Sequence, residues 1–544
     1  MTVSARSVVQ QLQALGVTLT HLVTDSRAVK TGDTFVAYPG EKLDGRQFIA
    51  QAIALGANAV IWDSRNFGWN ADWNVPHVAV NNLRDAAGGI ADVVYGSPSQ
   101  KLQMIGITGT NGKTSTAHWI ASALNDHQKS CALIGTLGNG FVNGLQPSDN
   151  TTPDAIRVHG LLADYLHQGA RSVAMEVSSH ALAQGRVNAV AFDVALLTNL
   201  SRDHLDYHGD MQSYADSKRK LFQWDQLKFA VLNLDDALGV ELAEQLLNEV
   251  SHSPQFSDEK TSHSTKLVNN TSQVAGYPAS GRGREREKQF LIPEVVGYGL
   301  TDAALQHAER LGIRMVYGHP AAMSGQGLRL EIHSSWGATQ LQSPLLGRFN
   351  AANLLGALAV LLVSDISLSD AVAALSNVQA VAGRMQRLGN AQQPTVVVDY
   401  AHTPDALKKV LQTLREINAT QASKLICVFG CGGDRDRGKR AMMGKVAEQF
   451  SDHCIVTSDN PRSENPQRIM AEIVNGMRQN NHEIMADRSA AIARAISLAD
   501  KLDTVLVAGK GHEDYQEISG VKHAFSDVLV AEQALKNWMP EVRA

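Results

Sequence analysis

The stretch Ile105-Gly-Ile-Thr-Gly-Thr-Asn-Gly-Lys-Thr114 constrains this chain more than any other. Apolar residues run into a glycine-rich turn ending in Lys113-Thr114, and a helical pattern, Ser115-Thr-Ala-His-Trp-Ile120, begins at once. That order sets a row of backbone N–H groups and a helix N-terminus around one point, with an ammonium group beside it. It is a cradle for a nucleoside triphosphate. Gly109, Thr110, Asn111, Gly112 and Ser115 supply the turn and its donors, Lys113 serves the outer phosphates, and the Thr114 hydroxyl serves Mg²⁺. The strict P-loop pattern wants a glycine where Ile107 stands, so only its Gly-Lys-Thr end is matched. The bland alternative is a glycine-rich strand-to-helix turn carrying a surface lysine.

Similar punctuation recurs down the chain. Ser172-Val-Ala-Met-Glu176, Ala191-Phe-Asp-Val-Ala-Leu-Leu197 and Phe229-Ala-Val-Leu-Asn233 read as near-continuous apolar strands between helical segments. So do Thr395-Val-Val-Val-Asp399, Leu425-Ile-Cys-Val-Phe429, His453-Cys-Ile-Val-Thr457 and Thr504-Val-Leu-Val-Ala508. Strands of that kind belong to parallel sheets covered on both faces, with ligands at their polar or glycine-rich ends. At 544 residues the chain is too long for one core. We therefore expect an α/β protein of three domains: a small one over 1–100, then doubly wound domains with largely parallel sheets over 101–382 and 383–544. The segment 251–287 is polar, with mixed charges, and reads as a solvated, poorly ordered insertion.

Composition excludes several roles. A net charge of −5 argues against nucleic-acid and polybasic membrane partners. The most apolar run, 354–363, is about half of the ~20 residues that a membrane span needs. The N-terminus lacks the apolar core of a secretory signal. The four cysteines suggest a reducing compartment. Cys427 and Cys431 have no second pair to complete a zinc site, so buried or loop thiols are expected. Together these point to the cytoplasm.

Several strand ends carry chemistry. Glu176 beside the phosphate turn is placed to hold Mg²⁺, or is simply a solvated strand-end glutamate. Ser178-Ser-His180 lacks the elbow of a serine hydrolase. Asp203, His204, Asp206 and His208 are crowded enough to serve a metal or phosphate, or to form a polar turn. Lys218 by itself reads as a surface lysine. Asn350 and Asn353 lie on one helical face, for capping and packing or for a nucleotide. Gly430-Cys-Gly-Gly-Asp-Arg-Asp-Arg-Gly-Lys-Arg440 sets cations beside glycines, suited to phosphate or carboxylate. Anion donors for a triphosphate, together with carboxylates and arginines for a zwitterion, suggest amide-bond synthesis through an acyl phosphate.

Taken in order, Gly109-Thr-Asn-Gly-Lys-Thr114, Glu176-Val-Ser-Ser-His180, Asn199-Leu-Ser-Arg-Asp-His-Leu-Asp206, Gly347-Arg-Phe-Asn-Ala-Ala-Asn353, Gly383-Arg-Met385, Asp399-Tyr-Ala-His-Thr-Pro404 and Gly509-Lys-Gly-His-Glu513 resemble the Mur ligases. The likeness runs from Thr24-Asp-Ser-Arg27 to Asp514. Gly430-Cys-Gly-Gly-Asp-Arg-Asp436 and Asp459-Asn-Pro-Arg462 narrow it to the member that adds the third amino acid, in the form associated with meso-diaminopimelate. The resemblance implies a reaction of UDP-N-acetylmuramoyl-L-alanyl-D-glutamate, meso-diaminopimelate and ATP that requires Mg²⁺; a monomer is expected, although the sequence does not reveal oligomeric state. It implies that Lys113 and Thr114 hold the phosphates and Mg²⁺, that Glu176 and His204 serve the metals, and that Lys218 is carbamylated and binds metal. Asn350, Arg384, Asp399 and His402 match nucleotide-facing positions. Ser26, Asn150, Thr151, Thr152, Ser178, Gln184 and Arg186 match those for the UDP-dipeptide, with Ser26 at its uridine end. Arg435, Asp459, Asn460, Pro461, Arg462, Gly509 and Glu513 match those for diaminopimelate, with Arg462 expected to be desolvated. Glu41-Lys-Leu43 matches no fixed motif and is given no role. The rivals are a ligase for L-lysine, a folylpolyglutamate-type ligase and a non-catalytic nucleotide-sensing scaffold.

Overall fold

The computed structural model describes residues 4–539 apart from 42, 149, 252–291, 325–326, 391 and 419–422. The polar segment expected over 251–287 thus lies, beyond Ser251, outside the described residues.

The described residues build a mixed α/β protein around three principal sheets. The first has four parallel strands in the order Leu22–Val23, Thr34–Ala37, Ala59–Asp63, His77–Val80. The second has ten strands. Its parallel centre runs Arg314–Ser324, Glu294–Gly299, Phe229–Asn233, Val194–Leu197, Gln103–Thr108, Ser172–Glu176, Cys131–Gly135. The third has six, with Thr395–Asp399, Thr504–Ala508, Leu425–Phe429, His453–Thr457 and His482–Met485 parallel and Gln386–Leu388 antiparallel at one edge.

The near-continuous apolar strands are buried along their length, as parallel strands covered on both faces must be. The apolar run at 354–363 forms most of the helix Arg348–Val363, which lies against the ten-stranded sheet and the helix Lys113–Asp126. A helix that is apolar all round is stable only when enclosed. No described helix is long and apolar enough to cross a membrane. All four cysteines are buried thiols.

One feature of the large sheet escapes the sequence reading. Gly327–Ser334 and Gly337–Ser343 extend it antiparallel beyond Arg314–Ser324. Gly327–Ser334 alternates buried and exposed positions, the pattern of a strand with one wet face, unlike the buried strands that announce the centre.

In the large sheet the strand order reverses at Gln103–Thr108, which lies between Ser172–Glu176 and Val194–Leu197. Open α/β sheets offer their ligand crevice at the carboxyl end of such a switch point. The glycine-rich turn begins there. The first sheet's helix Leu83–Val94 packs closely on this unit: a Cβ at Gly88 would lie 2.3 Å from the Asn188 carbonyl oxygen, so only glycine fits.

Candidate active site

The phosphate turn is held by contacts that exclude side chains. Gly109 has φ +146°, and a Cβ there would sit 1.8 Å from Thr198 Oγ1. Gly112 has φ +88°, and a Cβ would sit 2.4 Å from Asn353 Oδ1. Glycine alone meets both demands. The Thr110 hydroxyl donates to the Ser201 carbonyl at 3.1 Å, and the Asn111 N–H donates to Asn199 Oδ1 at 3.0 Å. Lys113 turns back on its own loop, with Nζ donating to the carbonyls of Gly109 at 2.8 Å and Thr110 at 3.0 Å. Burial lowers its pKa, while Glu176 pulls the other way. Thr114 Oγ1 donates to Glu176 Oε2 at 2.8 Å. Glu176 is fully buried and also accepts from the Thr136 N–H at 2.8 Å. It is therefore not a solvated strand-end residue.

A first cavity opens beside this turn, lined by Asn111, Gly112, Thr114, Ser115, Asn350, Arg384 and Asp399 among others. Arg384 stacks 4.3 Å from the centre of the Tyr400 ring and reaches Thr114 Oγ1 at 3.3 Å. Burial raises the Asp399 pKa against the opposing pull of Arg384. Asn350 also donates to the Leu346 carbonyl at 2.8 Å, so it has a packing role as well.

His402 does not join this group. Its Nε2 lies 3.5 Å from Asp203 Oδ2, and it lines a second cavity of about 150 Å³. Tyr400 borders both cavities, while Asp399 lines the first and His402 the second. Asp203 is flanked by His402, by His204 Nε2 at 3.3 Å and by Lys439 Nζ at 3.8 Å. Burial alone would raise its pKa, yet the hydrogen bond with His402 and the charge on Lys439 hold it far below the usual carboxylate range. Burial pushes His204 down to about 3, leaving a neutral imidazole.

The second cavity also gathers Arg435, Asp459, Asn460, Arg462, Gly509 and Glu513, residues from separate strand ends. Pro461 is buried but is not among its lining residues. The expectation of a fully desolvated Arg462 needs correcting. Its side chain is 20% exposed, Nε lies 3.3 Å from Glu517 Oε2, and Nη1 donates to the Gly433 carbonyl at 2.8 Å. A carboxylate that sequence reasoning missed already sits beside it.

Four of the candidates for the UDP-dipeptide form one network. Thr152 Oγ1 lies 3.4 Å from Ser178 Oγ, Arg186 Nη1 donates to the Thr152 carbonyl at 2.9 Å, and Arg186 Nε donates to Gln184 Oε1 at 2.7 Å. Gln184 continues to Glu41 Oε1 at 2.5 Å, joining to the site a residue that had been given no role. The Thr151 hydroxyl lies 3.0 Å from that of Thr136, and Asn150 is exposed nearby. Ser26 stands apart, in a cavity of about 420 Å³ on the first sheet, where it donates to Gln51 Oε1 at 3.0 Å.

Lys218 is 1% exposed, which overturns its default reading as a surface lysine. Its Nζ lies 4.5 Å from the centre of the Tyr214 ring. Burial, reinforced by Lys113, drops its pKa well below that of an ordinary lysine. The proposed metal residues do not form a single ready cage. Thr114 and Glu176 touch each other, whereas His204 and Lys218 gather around Tyr214. Among the described residues no three His, Cys, Asp or Glu side chains converge at ligand spacing.

The chain matches the Mur ligase family catalytic domain over residues 18–95, the Mur ligase middle domain over 107–361 and the Mur ligase glutamate ligase domain over 383–511. The chain belongs to the Mur ligase family. Mur ligases are ATP-dependent enzymes that form amide bonds. The UDP-N-acetylmuramoyl-L-alanyl-D-glutamate–2,6-diaminopimelate ligase of Chromobacterium violaceum is 47% identical over 97% of this chain and 96% of its own length. That of Nitrosomonas europaea is 46% identical over 96% and 94%. A solved structure of a ligase with the same name is 33% identical, covers 99% of both chains and superposes with a TM-score of 0.62. In this Mur ligase the residues that sequence reasoning missed are Thr136, Glu41, Glu517, Lys439 and Lys510, whose Nζ donates to Asn460 Oδ1 at 3.0 Å and to Glu513 Oε2 at 2.9 Å. Two of them had a local signal, since Lys439 stands inside Gly430-Cys-Gly-Gly-Asp-Arg-Asp-Arg-Gly-Lys-Arg440 and Lys510 inside Gly509-Lys-Gly-His-Glu513.

Proposed function

We infer that this Mur ligase joins an amino group of meso-diaminopimelate to the γ-carboxylate of the D-glutamyl residue in UDP-N-acetylmuramoyl-L-alanyl-D-glutamate, converting ATP to ADP and phosphate. The observation that carries this reading is the second cavity, whose lining includes the cations Arg435, Arg462 and Lys439 and the carboxylates Asp459 and Glu513. Diaminopimelate has two carboxylates and two ammonium groups, and a site of both signs suits it. The names of the close relatives support the same amino acid over L-lysine.

The parts divide as follows. The Ser26 cavity takes the uridine end, and the Thr152, Ser178, Gln184 and Arg186 network takes the dipeptide, assisted by Thr151 and Asn150. The first cavity takes the nucleotide against Asn350, Arg384 and Asp399. Lys113 leaves its own loop carbonyls for the outer phosphates, where its charge offsets the approach of one anion to another. The D-glutamyl carboxylate oxygen bonds to the γ-phosphorus as the bond to the ADP oxygen breaks. The neutral amine then adds to the acyl carbon, and inorganic phosphate and a proton leave as the amide forms.

The hard oxygen donors Thr114 Oγ1 and Glu176, 2.8 Å apart, suit Mg²⁺. When bound, the ion neutralises phosphate charge. Lys218 suits carbamylation: burial favours the uncharged amine, whose nitrogen bonds to the carbon of CO₂ and releases a proton. The resulting anion and the neutral His204 would then serve as ligands for Mg²⁺. One chain supplies all these groups, so the reaction needs no second copy, and we place it in the cytoplasm with ATP and the UDP-linked substrate.

The test is ADP release by the purified chain with the UDP-dipeptide and each amino acid in turn. Release with meso-diaminopimelate far above that with L-lysine is expected. Preference for L-lysine, or release independent of either, would defeat the reading.

A further inference from the structure

Beneath the second cavity lies an ion pair that the reaction above does not use. Arg488 and Asp527 have side chains with no solvent exposure. Arg488 Nε donates to Asp527 Oδ1 at 2.7 Å and Nη2 donates to Oδ2 at 2.7 Å, a two-pronged contact. Each residue opens a helix, Arg488–Leu498 and Asp527–Lys536. A carboxylate is favoured at that end of a helix, but a cation works against the helix dipole. Local helix stability therefore does not account for Arg488.

Its remaining contacts give it a purpose. Nη2 also donates to the Ala508 carbonyl at 3.0 Å, and Nη1 donates to the Ser458 carbonyl at 3.4 Å. Ser458 and Ala508 immediately precede Asp459 and Gly509, which line the second cavity. The two loops leave strands that are not neighbours, since Leu425–Phe429 runs between them. The strand ladder thus does not pair these two loops directly, and Arg488 spans the gap. The spacing is tight: a Cβ on Gly509 would lie 2.4 Å from Asp459 Oδ2 and 3.8 Å from Arg488 Nη2. Asp459 Oδ1 accepts from the Asn460 N–H at 2.7 Å.

We propose that Arg488, oriented by Asp527, is a positioning residue that joins the Asp459 and Gly509 loops and aims the Asp459 carboxylate at an ammonium group of the incoming amino acid. This rests on the second cavity being the diaminopimelate site. A fully buried ion pair seldom stabilises a fold more than apolar residues of similar volume would. Stability alone therefore gives little reason for a guanidinium that reaches both loops.

That expectation supplies the experiment. Arg488→Met alone strands the Asp527 charge, so the decisive variant is Arg488→Met with Asp527→Leu, which replaces the pair by apolar groups. It should melt within a few degrees of the parent. Its KM for meso-diaminopimelate should rise at least tenfold, while its KM values for ATP and the UDP-dipeptide change less than twofold. Arg488→Lys keeps the charge but cannot reach both carbonyls, and should raise the same KM by a smaller factor with no loss of melting temperature. An unchanged KM for diaminopimelate in either variant overturns the proposal. So does an equal rise in all three KM values accompanied by a fall in melting temperature, which marks a purely structural pair. If the parent enzyme does not use diaminopimelate, the assignment of the cavity falls and takes the proposal with it. Normal use by the parent with an indifferent double variant removes the positioning role alone.

Discussion

Replacing Arg462 with alanine tests how the second cavity tells meso-diaminopimelate from L-lysine. The two amino acids differ by one carboxylate on the D-centre, and we assign its recognition to Arg462, one of the three cations lining the cavity. A fully buried charge left unpaired would cost about 3–5 kcal/mol. The structure argues for less, because the Arg462 side chain is 20% exposed and keeps Glu517 beside it when the ligand carboxylate is missing. The lower figure for a hydrogen bond to a charged group, about 1.5–3 kcal/mol, is the better guide. At ~1.4 kcal/mol per decade this is roughly a ten- to 150-fold preference for diaminopimelate in kcat/KM. Arg462→Ala should erase most of that ratio by lowering kcat/KM for diaminopimelate, with KM for ATP unchanged. Arg462→Lys should fall between, since an ammonium group cannot make the forked contact of a guanidinium. Steady-state ADP release with both amino acids gives the ratio directly. If Arg462→Ala keeps the parent's discrimination, the arginine does not read the second carboxylate.

Lys218→Ala should lower kcat by about 10²–10³-fold, the usual loss when one group stabilising transition-state charge is removed. Formate or acetate should restore part of the rate by occupying the vacated carbamate position, and parent-like turnover in the variant would make Lys218 an ordinary core lysine. Gly509→Ala meets both a φ of +120° and the Asp459 carboxylate, so it should raise KM for diaminopimelate tenfold or more, for about 1–3 kcal/mol of strain. An unshifted KM in steady-state assays would show that the loop yields freely. Acid stability should depend on Arg440 and Arg437, which hold Glu464 and Glu472 respectively at about 2. Carboxyls depressed from about 4.3 stabilise the fold above that pH and lose the contribution as pH falls toward 2. Urea midpoints at pH 6 and pH 3 should therefore differ less in Arg440→Met than in the parent, and an identical pH effect in both would remove Arg440 from the account.

The residues legible in the sequence are those whose role is set by their neighbours in the chain. The phosphate turn is one, because strand, glycines, Lys113, Thr114 and helix follow without interruption. Strand ends such as Glu176, Asp399 and Asp459 are others, because an apolar run followed by a polar residue marks the edge of a parallel sheet. Chain order could not decide which cavity each strand end faces. Asp399 and His402 are close in sequence, yet they line two different cavities. Lys218 has the local character of a surface residue and is enclosed only because its helix packs on a neighbour, with Ser217 Oγ donating to the Ser179 carbonyl at 2.7 Å. Glu41 meets Gln184 across 143 residues, and Arg488 meets Asp527 across 39. Periodicity and turn chemistry act over a few residues. By themselves they determined the α/β class, the parallel sheets and the glycine-rich strand-to-helix turn. Burial and charge pairing depend on which elements share a layer, and only the tertiary structure decided them.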